Sequence, residues 1–363
     1  MNLRLFFILL GILLSHVLYG QKLILSPEIT VSDDKNVTSI SNLWSSYMNS
    51  INGNKADSIL AMLWYNGKKD IIKNFVSSNS FYRIGEQFTF NIRKVDDDFY
   101  EINTISRFYP ISKEIPVILK IFKVYSKEIN GEFKLFNYFD VIKPTLGHSS
   151  SDFIEYYYPE SINLNDSAIQ EANEFIKQFI SFYNIQPSNK INYIVANSLD
   201  ECWEILGVPY TMYRSEKKYA GLYTRSNILL ATKANHIHEL VHGIMTPLYP
   251  KTHPLLHEGI ATYYGGTANK SFAYHVNNLK QYIINNEIDY LDLDIQLEGV
   301  YLEYIVGALV VEYTLKKYGH DKVLQLFSNT NYEDIFNELG VEKEDINNWL
   351  HNLIEMKDTR KFE

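Results

Sequence analysis

The sequence has little cysteine, no long basic run and no internal repeat. Cys202 is its only cysteine, so an intrachain disulfide is excluded and stability must come from a hydrophobic core. The stretch around Cys202 is apolar and of helical pattern, which predicts a buried thiol. Basic residues reach only short pairs such as Lys217–Lys218, and the net charge is -9. Because an acidic surface repels phosphate, we expect no nucleic-acid partner.

The first twenty residues have the pattern of a secretory signal peptide. Arg4 precedes an apolar run from Leu5 to Leu14, and a smaller, more polar stretch ends at Gly20. We expect cleavage after Gly20, with an uncleaved N-terminal anchor as the alternative. Later stretches stay below the about 18 apolar residues of a membrane span, so we expect no stable membrane insertion after cleavage. The expected location is secreted or periplasmic.

The length of 363 residues and the change of pattern along the chain predict two domains after the signal peptide 1–20. Apolar residues recur at helix spacing over 39–75, and from Phe88 to Ile142 the period changes to two, with Asn130–Gly131 as a hairpin signal. We therefore expect an α+β domain over 21–150, with N-terminal helices and an antiparallel sheet. This order of elements resembles a nuclear-transport-factor-like cone.

The small, polar segment Gly147–Asp152 predicts the boundary between this domain and a second one over 151–363. The second domain begins with an alternation of helical and strand patterns. Its first predicted elements are a helix over 167–183, a strand over 191–195, a helix near 199–206 and a strand over 227–231.

The histidines of the chain are unevenly distributed, because five of the ten fall between His236 and His257. An HExxH motif lies among them, starting at His238, continuing with Glu239 and ending at His242. Histidines at positions i and i+4 lie one turn apart on the same face of a helix, as a single metal ion requires. The motif therefore predicts a metal site.

A second helix supplies a candidate third ligand. Pro254 suits a first helical position, and Gly265–Gly266 marks the end of the helix. Glu258 falls in the second turn, and a helix–loop–helix can return its carboxylate to the metal. Two imidazoles and one carboxylate leave a fourth position open, as catalytic zinc sites do. Glu239 is too close in sequence to His238 to bind the same ion, and it can accept the proton of the attacking water.

These two motifs resemble the gluzincin zinc metallopeptidases, and within them the peptidase-MA-like group, whose HExxH is followed by a helix with the pattern LxEGxAxY. That second pattern runs here from Leu256 to Tyr263. The resemblance covers roughly residues 165–330 and implies a small sheet followed by a mainly helical C-terminal part. It also implies Glu239 as general base. The implied ligands of one zinc ion per chain are His238, His242 and Glu258.

Two further segments are similar to that family. Ala220 and Gly221 resemble the edge strand along which such enzymes lay an extended substrate, where glycine allows a close backbone approach. Tyr301 and Tyr304 stand in a segment that resembles the helix supplying an oxyanion-stabilising tyrosine, and either could serve. The GxMEN strand of aminopeptidase-N-like members is absent, which argues against aminopeptidase activity. Leu248 stands where metzincins carry a third histidine, so that class is excluded.

We therefore expect an exported zinc metallopeptidase acting on a peptide or protein substrate. Two alternatives stay open. The protein could be a binding module with a catalytically silent zinc domain, although an intact Glu239 argues against a silent site. It could also be a zinc hydrolase that acts on a non-peptide amide or ester.

Overall fold

The computed structural model of the chain describes residues 22–52, 61–65, 86–110, 115–187, 189–212, 221–224 and 226–356. The predicted signal peptide and Ala220 lie outside the described residues, as do residues 53–60 and 66–75 of the stretch predicted to be helical. Within the described ranges, no helix is long and apolar enough to cross a membrane.

Helices and strands alternate through the chain, as expected for a mixed α and β protein. The elements before residue 147 are β1 (Lys22–Leu25), α1 (Pro27–Thr30), α2 (Lys35–Asn52), β2 (Glu86–Lys94), β3 (Phe99–Phe108), β4 (Val117–Ile129), β5 (Glu132–Asn137) and α3 (Tyr138–Ile142). Those from 147 to 231 are β6 (Gly147–Ser150), β7 (Ile154–Tyr158), α4 (Asp166–Tyr183), β8 (Ile191–Val195), α5 (Leu199–Ile205), β9 (Tyr210–Thr211), β10 (Gly221–Thr224) and β11 (Ile228–Ala231). The remaining elements are α6 (Ile237–Leu248), α7 (Pro254–Gly265), α8 (Phe272–Ile283), β12 (Gln296–Leu297), β13 (Val300–Tyr301), α9 (Leu302–Tyr318), α10 (His320–Leu326), α11 (Tyr332–Glu338) and α12 (Ile346–Glu355).

The chain divides into two compact units. The first comprises Met1–Leu146 together with Asp200–Lys217, and the second comprises Gly147–Leu199 and Lys218–Glu363. The sequence pattern assigned 199–206 to the second domain. Most of this segment belongs to the first unit because β9 pairs with β4 and the amide of Lys123 donates to the carbonyl of Gly207. Such pairing between distant segments leaves no local signal in a sequence.

The first unit is built on a sheet with the strand order β1-β2-β3-β4-β5, and β9 lies beside β4. The strands β2 to β5 are antiparallel, as predicted, and the hairpin between β4 and β5 turns at Asn130 and Gly131, both at positive φ. The expected N-terminal helices do not come first in the described part, because it begins with strand β1, which runs parallel to β2. A strand of four residues is formed by pairing with a distant partner, so its own sequence indicates it only weakly.

Helix α2 covers one face of this sheet and supplies the centre of the core. Trp44 is fully buried, stacks on Tyr47 and donates its indole N–H to the hydroxyls of Thr89 and Thr104, at 3.0 and 3.1 Å. These two hydroxyls also hydrogen-bond to each other. The polar side chains on this sheet face are therefore satisfied inside the core, as buried polar groups must be. Cys202, in α5, is buried as predicted.

The second unit contains a mixed five-stranded sheet with the order β10-β11-β8-β7-β6. Its three inner strands are parallel, and β10 and β6 are antiparallel edges. The predicted helix 167–183 and the strands at 191–195 and 227–231 are confirmed within one residue at each end. The polar segment taken as a boundary is itself ordered, because Gly147–Ser150 forms strand β6.

Helices α7 and α9 cross with their backbones in direct contact. A Cβ atom on Gly307 would lie 2.0 Å from the carbonyl oxygen of Leu255 and 2.8 Å from the Cα atom of Gly259. Only residues without a side chain permit this approach. Because Glu258 precedes Gly259 and Tyr304 stands one turn before Gly307, the contact brings these two functional candidates together.

Candidate metal centre

The loop that leads into α6 is anchored to the sheet beneath it. Two stacked tyrosines of neighbouring strands, Tyr156 and Tyr193, lie with their ring centroids 5.1 Å apart. The hydroxyl of Tyr156 donates to the carbonyl of Ala234 at 3.0 Å, and that of Tyr193 donates to the carbonyl of Lys233 at 2.5 Å. These bonds set where α6 begins, and therefore where its histidines lie.

The two histidines of the HExxH motif face the same space from successive turns of α6. Both are buried, and their Nε2 atoms lie 3.2 Å apart. The Nδ1 atom of His238 is 2.7 Å from the carbonyl oxygen of Gly266. A carbonyl oxygen only accepts, so Nδ1 of His238 carries the proton and Nε2 keeps a lone pair for a metal ion.

Helix α7 brings the carboxylate of Glu258 to these nitrogens. Pro254 is the first residue of α7, as predicted, and the His253 side chain caps the helix by accepting from the amide of Leu255. The Oε2 atom of Glu258 lies 3.4 Å from Nε2 of His238 and 3.3 Å from Nε2 of His242. The described residues thus bring together the same three side chains that the sequence pattern selects.

The spacing of these three atoms fits one tetrahedral metal ion. With zinc–ligand bonds of about 2.0–2.1 Å, tetrahedral angles put neighbouring ligand atoms about 3.3–3.4 Å apart. The separations are 3.2, 3.3 and 3.4 Å. Oε2 of Glu258 is also a buried atom without a hydrogen-bond donor. An acceptor in this condition is costly unless a cation binds it. The donor set of two imidazoles and one carboxylate therefore fits zinc.

The charges at the cluster favour the ionised form of Glu258. Burial alone would raise the pKa of this carboxyl, but the neighbouring His242 and His238 hold it well below its ordinary value. Burial likewise opposes the charged form of His242, and the carboxylates of Glu258 and Glu239 outweigh it, so the pKa of this imidazole is raised. Glu258 is thus an anion at neutral pH, which is the form that binds a metal ion.

Glu239 packs against the edge strand β10 beside the cluster of His238, His242 and Glu258. Its side chain is buried, and a Cβ atom on Gly221 would lie 2.6 Å from its Cγ atom. Glycine at 221 therefore allows the backbone of β10 to lie directly against Glu239. In the described part of the sheet β10 is an edge strand, because β11 is its sole neighbour there.

The structure separates the two candidate tyrosines. The ring of Tyr304 is nearly parallel to that of His238, with centroids 6.0 Å apart. Burial, followed by the charge of Glu258, raises the pKa of Tyr304, which keeps the phenol protonated and able to donate. Tyr301 precedes α9 and is 44% exposed. Tyr304, and not Tyr301, belongs to the cluster.

Two other histidines of the region, His257 and His236, do not join the cluster. Nε2 of His257 lies 3.0 Å from the carbonyl oxygen of Tyr249, and burial lowers the pKa of His257 to about 4. His236 packs against Gly221, and burial lowers its pKa to about 4 as well. Both are therefore neutral near the cluster. One feature that the sequence analysis missed is the carbonyl of Gly266, since Gly265–Gly266 indicated only the end of a helix.

No protein-family model matches the chain, and no curated protein matches it either.

Proposed function

We propose that the protein is an exported zinc metallopeptidase of the gluzincin kind, which hydrolyses peptide bonds. The observation that carries this proposal is the triangle of His238 Nε2, His242 Nε2 and Glu258 Oε2, with sides of 3.2 to 3.4 Å. Three protein ligands, of which the two histidines are buried, leave a fourth position open for water or substrate, which is the pattern of catalytic zinc and not of structural zinc.

His238, His242 and Glu258 would hold the zinc ion, which would supply the Lewis acidity that lowers the pKa of water and polarises a scissile carbonyl. Glu239 accepts the proton of the attacking water and passes it to the leaving amine, as a general base and then a general acid. The hydroxyl of Tyr304 donates to the oxygen on which negative charge develops. The hydrogen bond from His238 to Gly266 fixes the ring that binds the ion.

The edge strand β10 supports a peptide as the substrate. Its backbone runs past Glu239 at Gly221, so an extended chain that paired with this edge would pass beside the general base. The mixed sheet followed by α6 to α12 is consistent with a gluzincin-like domain. In the first unit, α2 across the antiparallel strands β2 to β5 is consistent with a nuclear-transport-factor-like cone. The secretory pattern of residues 1–20 supports a secreted or periplasmic location.

The experiment that tests this function combines zinc stoichiometry with a peptide-cleavage assay. Purified mature protein is analysed for zinc beside its His242→Ala, Glu258→Ala and Glu239→Gln variants, and each is assayed against a quenched fluorogenic peptide library. We expect about one zinc ion per chain in the wild type and chelator-sensitive cleavage. His242→Ala and Glu258→Ala should lose zinc affinity, and Glu239→Gln should keep zinc while cleavage falls below detection.

Two results contradict the proposal. A Glu239→Gln protein with undiminished cleavage would exclude Glu239 as the base. One zinc ion per chain without cleavage of any peptide would instead favour a narrow hydrolase for another amide or ester, or a binding protein.

A further inference from the structure

Glu303 is a carboxylate beside the candidate metal centre that the proposed mechanism does not use. It stands in the first turn of α9, directly before Tyr304. It also precedes Gly307 by one helical turn, so it lies on the side of α9 that contacts α7 at Gly259. The residue before Gly259 is Glu258. Glu303 is therefore held next to a proposed zinc ligand by a close backbone contact between two helices.

The carboxylate of Glu303 is half-buried and has no cationic partner or hydrogen-bond donor among the described residues. Burial, followed by the negative charges of Glu258 and Asp294, raises its pKa to about 7. The other carboxylates of the region differ in this respect. Glu258 faces two histidines and Tyr304, and Glu239 faces the metal ligand His242. Glu303 alone among these three lacks a compensating group.

The ionised form of Glu303 faces the negative charges of Glu258 and Asp294. A zinc ion carries two positive charges, which Glu258 and Glu239 together neutralise. Ionised Glu303 then adds a surplus negative charge. Asp294 adds to the negative potential at the start of α9. The loop that contains Asp294 is held there because the amide of Leu302 donates to the carbonyl of Ile295 at 2.7 Å. A half-buried carboxylate without a partner is costly, and an ammonium or guanidinium group offsets that cost.

We propose that Glu303 is a specificity-determining residue that binds a positively charged group of the substrate next to the bond that is cleaved. The proposal rests on the proposed peptidase function and names its substrate class, which is peptides with a cationic group near the scissile bond. That group is either a free α-amino terminus or the side chain of lysine or arginine. The two sources share one chemistry, a cation that donates hydrogen bonds to a carboxylate.

The test measures binding separately from cleavage. Zinc-loaded Glu239→Gln protein is titrated with three sets of fluorescent peptides. The first set has a free amino terminus and uncharged side chains, the second has an acetylated terminus and one lysine placed at each position in turn, and the third is the acetylated peptide with norleucine in place of lysine. The same titrations are repeated with Glu239→Gln protein that also carries Glu303→Gln, Glu303→Asp or Glu355→Gln. Glu355→Gln is the control, because it removes an exposed carboxylate of α12.

We expect one cationic set to bind roughly tenfold to hundredfold more tightly than the norleucine set, as a charge-assisted hydrogen bond should give. Preference for the first set identifies the α-amino group as the source, and preference for the second identifies the side chain. Glu303→Gln should remove most of the preference, Glu303→Asp should retain part of it, and Glu355→Gln should leave it unchanged.

The inference is overturned if all three sets bind equally, if no peptide binds, or if Glu303→Gln and Glu355→Gln have the same effect on the preference. Failure of the proposed function gives a different result. In that case the zinc-loaded wild type cleaves no peptide, including those that it binds. A cation preference that depends on Glu303 in a protein without cleavage would leave this inference standing and remove only the peptidase assignment.

Discussion

The Nδ1 atom of His238 lies 2.7 Å from the backbone oxygen of Gly266, which belongs to the end of a different helix. This bond links α6, which carries the HExxH motif, to the C-terminal end of α7, which carries Glu258. The close approach depends on the residue before Gly266. A Cβ atom on Gly265 would lie 2.3 Å from the backbone nitrogen of His238.

Replacing Gly265 by alanine should therefore damage the metal site through His238. The methyl group forces the end of α7 away from α6 and lengthens the bond from His238 to Gly266. Because the partners of metal-binding histidines contribute about 10- to 100-fold in affinity, we expect zinc affinity to fall by that factor. Competition with a chromogenic chelator measures it. Gly340→Ala is the control, since a Cβ atom there meets nothing within 4 Å. Equal zinc affinity in both variants would contradict this role.

The variant Gly307→Ala tests the contact between α7 and α9. A methyl group there meets the carbonyl oxygen of Leu255 at 2.0 Å, and backbone atoms cannot move aside as a flexible side chain can. We expect a loss of about 1–3 kcal/mol in the free energy of unfolding, together with weaker zinc binding, because α7 carries Glu258. Urea denaturation and zinc titration measure the two effects.

The control for that variant is Gly319→Ala, at the end of the same helix. Its Cβ atom meets nothing within 4 Å, and its φ of +85° leaves only backbone strain. We expect this variant to lose about 1 kcal/mol of stability and to bind zinc normally. Normal zinc binding by Gly307→Ala as well would show that the contact does not hold Glu258.

The two tyrosines should respond differently to removal of the hydroxyl. Tyr304→Phe should lower kcat by about 100- to 1,000-fold, the usual effect of removing one oxyanion donor, with zinc content unchanged. Tyr301→Phe should retain kcat, because Tyr301 is 44% exposed and stands outside the cluster. Steady-state kinetics with the library peptide that is cleaved fastest measures kcat for both variants. A larger loss of kcat in Tyr301→Phe would reverse the assignment.

Glu155 should make the stability of the second unit depend on pH. Lys190 donates to its Oε1 atom at 2.7 Å, and His148 and Ser150 hydrogen-bond to the same carboxylate. The hydrogen bond from Lys190 is the main cause that lowers the pKa of Glu155 from 4.5 to about 2, against the opposing effect of burial. Because the folded pKa is the lower one, this contribution is complete at neutral pH and is lost as the pH falls from about 5 towards 2.

Glu155→Gln should consequently be less stable than the wild type at neutral pH, and the difference should shrink as the pH approaches 3. Urea midpoints at a series of pH values measure it. Glu160→Gln, at an exposed position of the same unit, is the control. A difference that stays constant with pH would mean that ionisation of Glu155 contributes nothing to folding.

Trp44→Phe should destabilise the first unit while the ring packing is largely kept. The indole N–H of Trp44 donates to the hydroxyls of both Thr89 and Thr104. In the variant these two hydroxyls keep the hydrogen bond to each other. We expect a loss of about 1–3 kcal/mol in the free energy of unfolding, measured by urea denaturation. In a double-mutant cycle with Thr89→Val, the two losses should be less than additive. Strict additivity would mean that the indole N–H and the Thr89 hydroxyl do not interact.

Several local features could be predicted from the sequence because their causes lie within a few residues. The hairpin at Asn130–Gly131 follows from the ease with which these residue types adopt positive φ. The start of α7 at Pro254 and its end before Gly266 follow from fixed and permissive backbone angles. Features that depend on distant partners were missed. The parallel strand β1 is an example, because ladder bonds to β2, which lies far along the chain, stabilise it.

The sequence by itself determined that His238 and His242 share a helix face, since the helical repeat alone sets that relation. It also selected Glu258 as a third candidate. Tertiary structure decided that these three side chains converge to within 3.4 Å. It also decided that Tyr304 and not Tyr301 joins them, and that Glu303 stands beside them with no partner among the described residues. The physical reason is that these relations depend on two helices meeting at Gly259 and Gly307, and such a contact is set by packing between segments far apart in the chain.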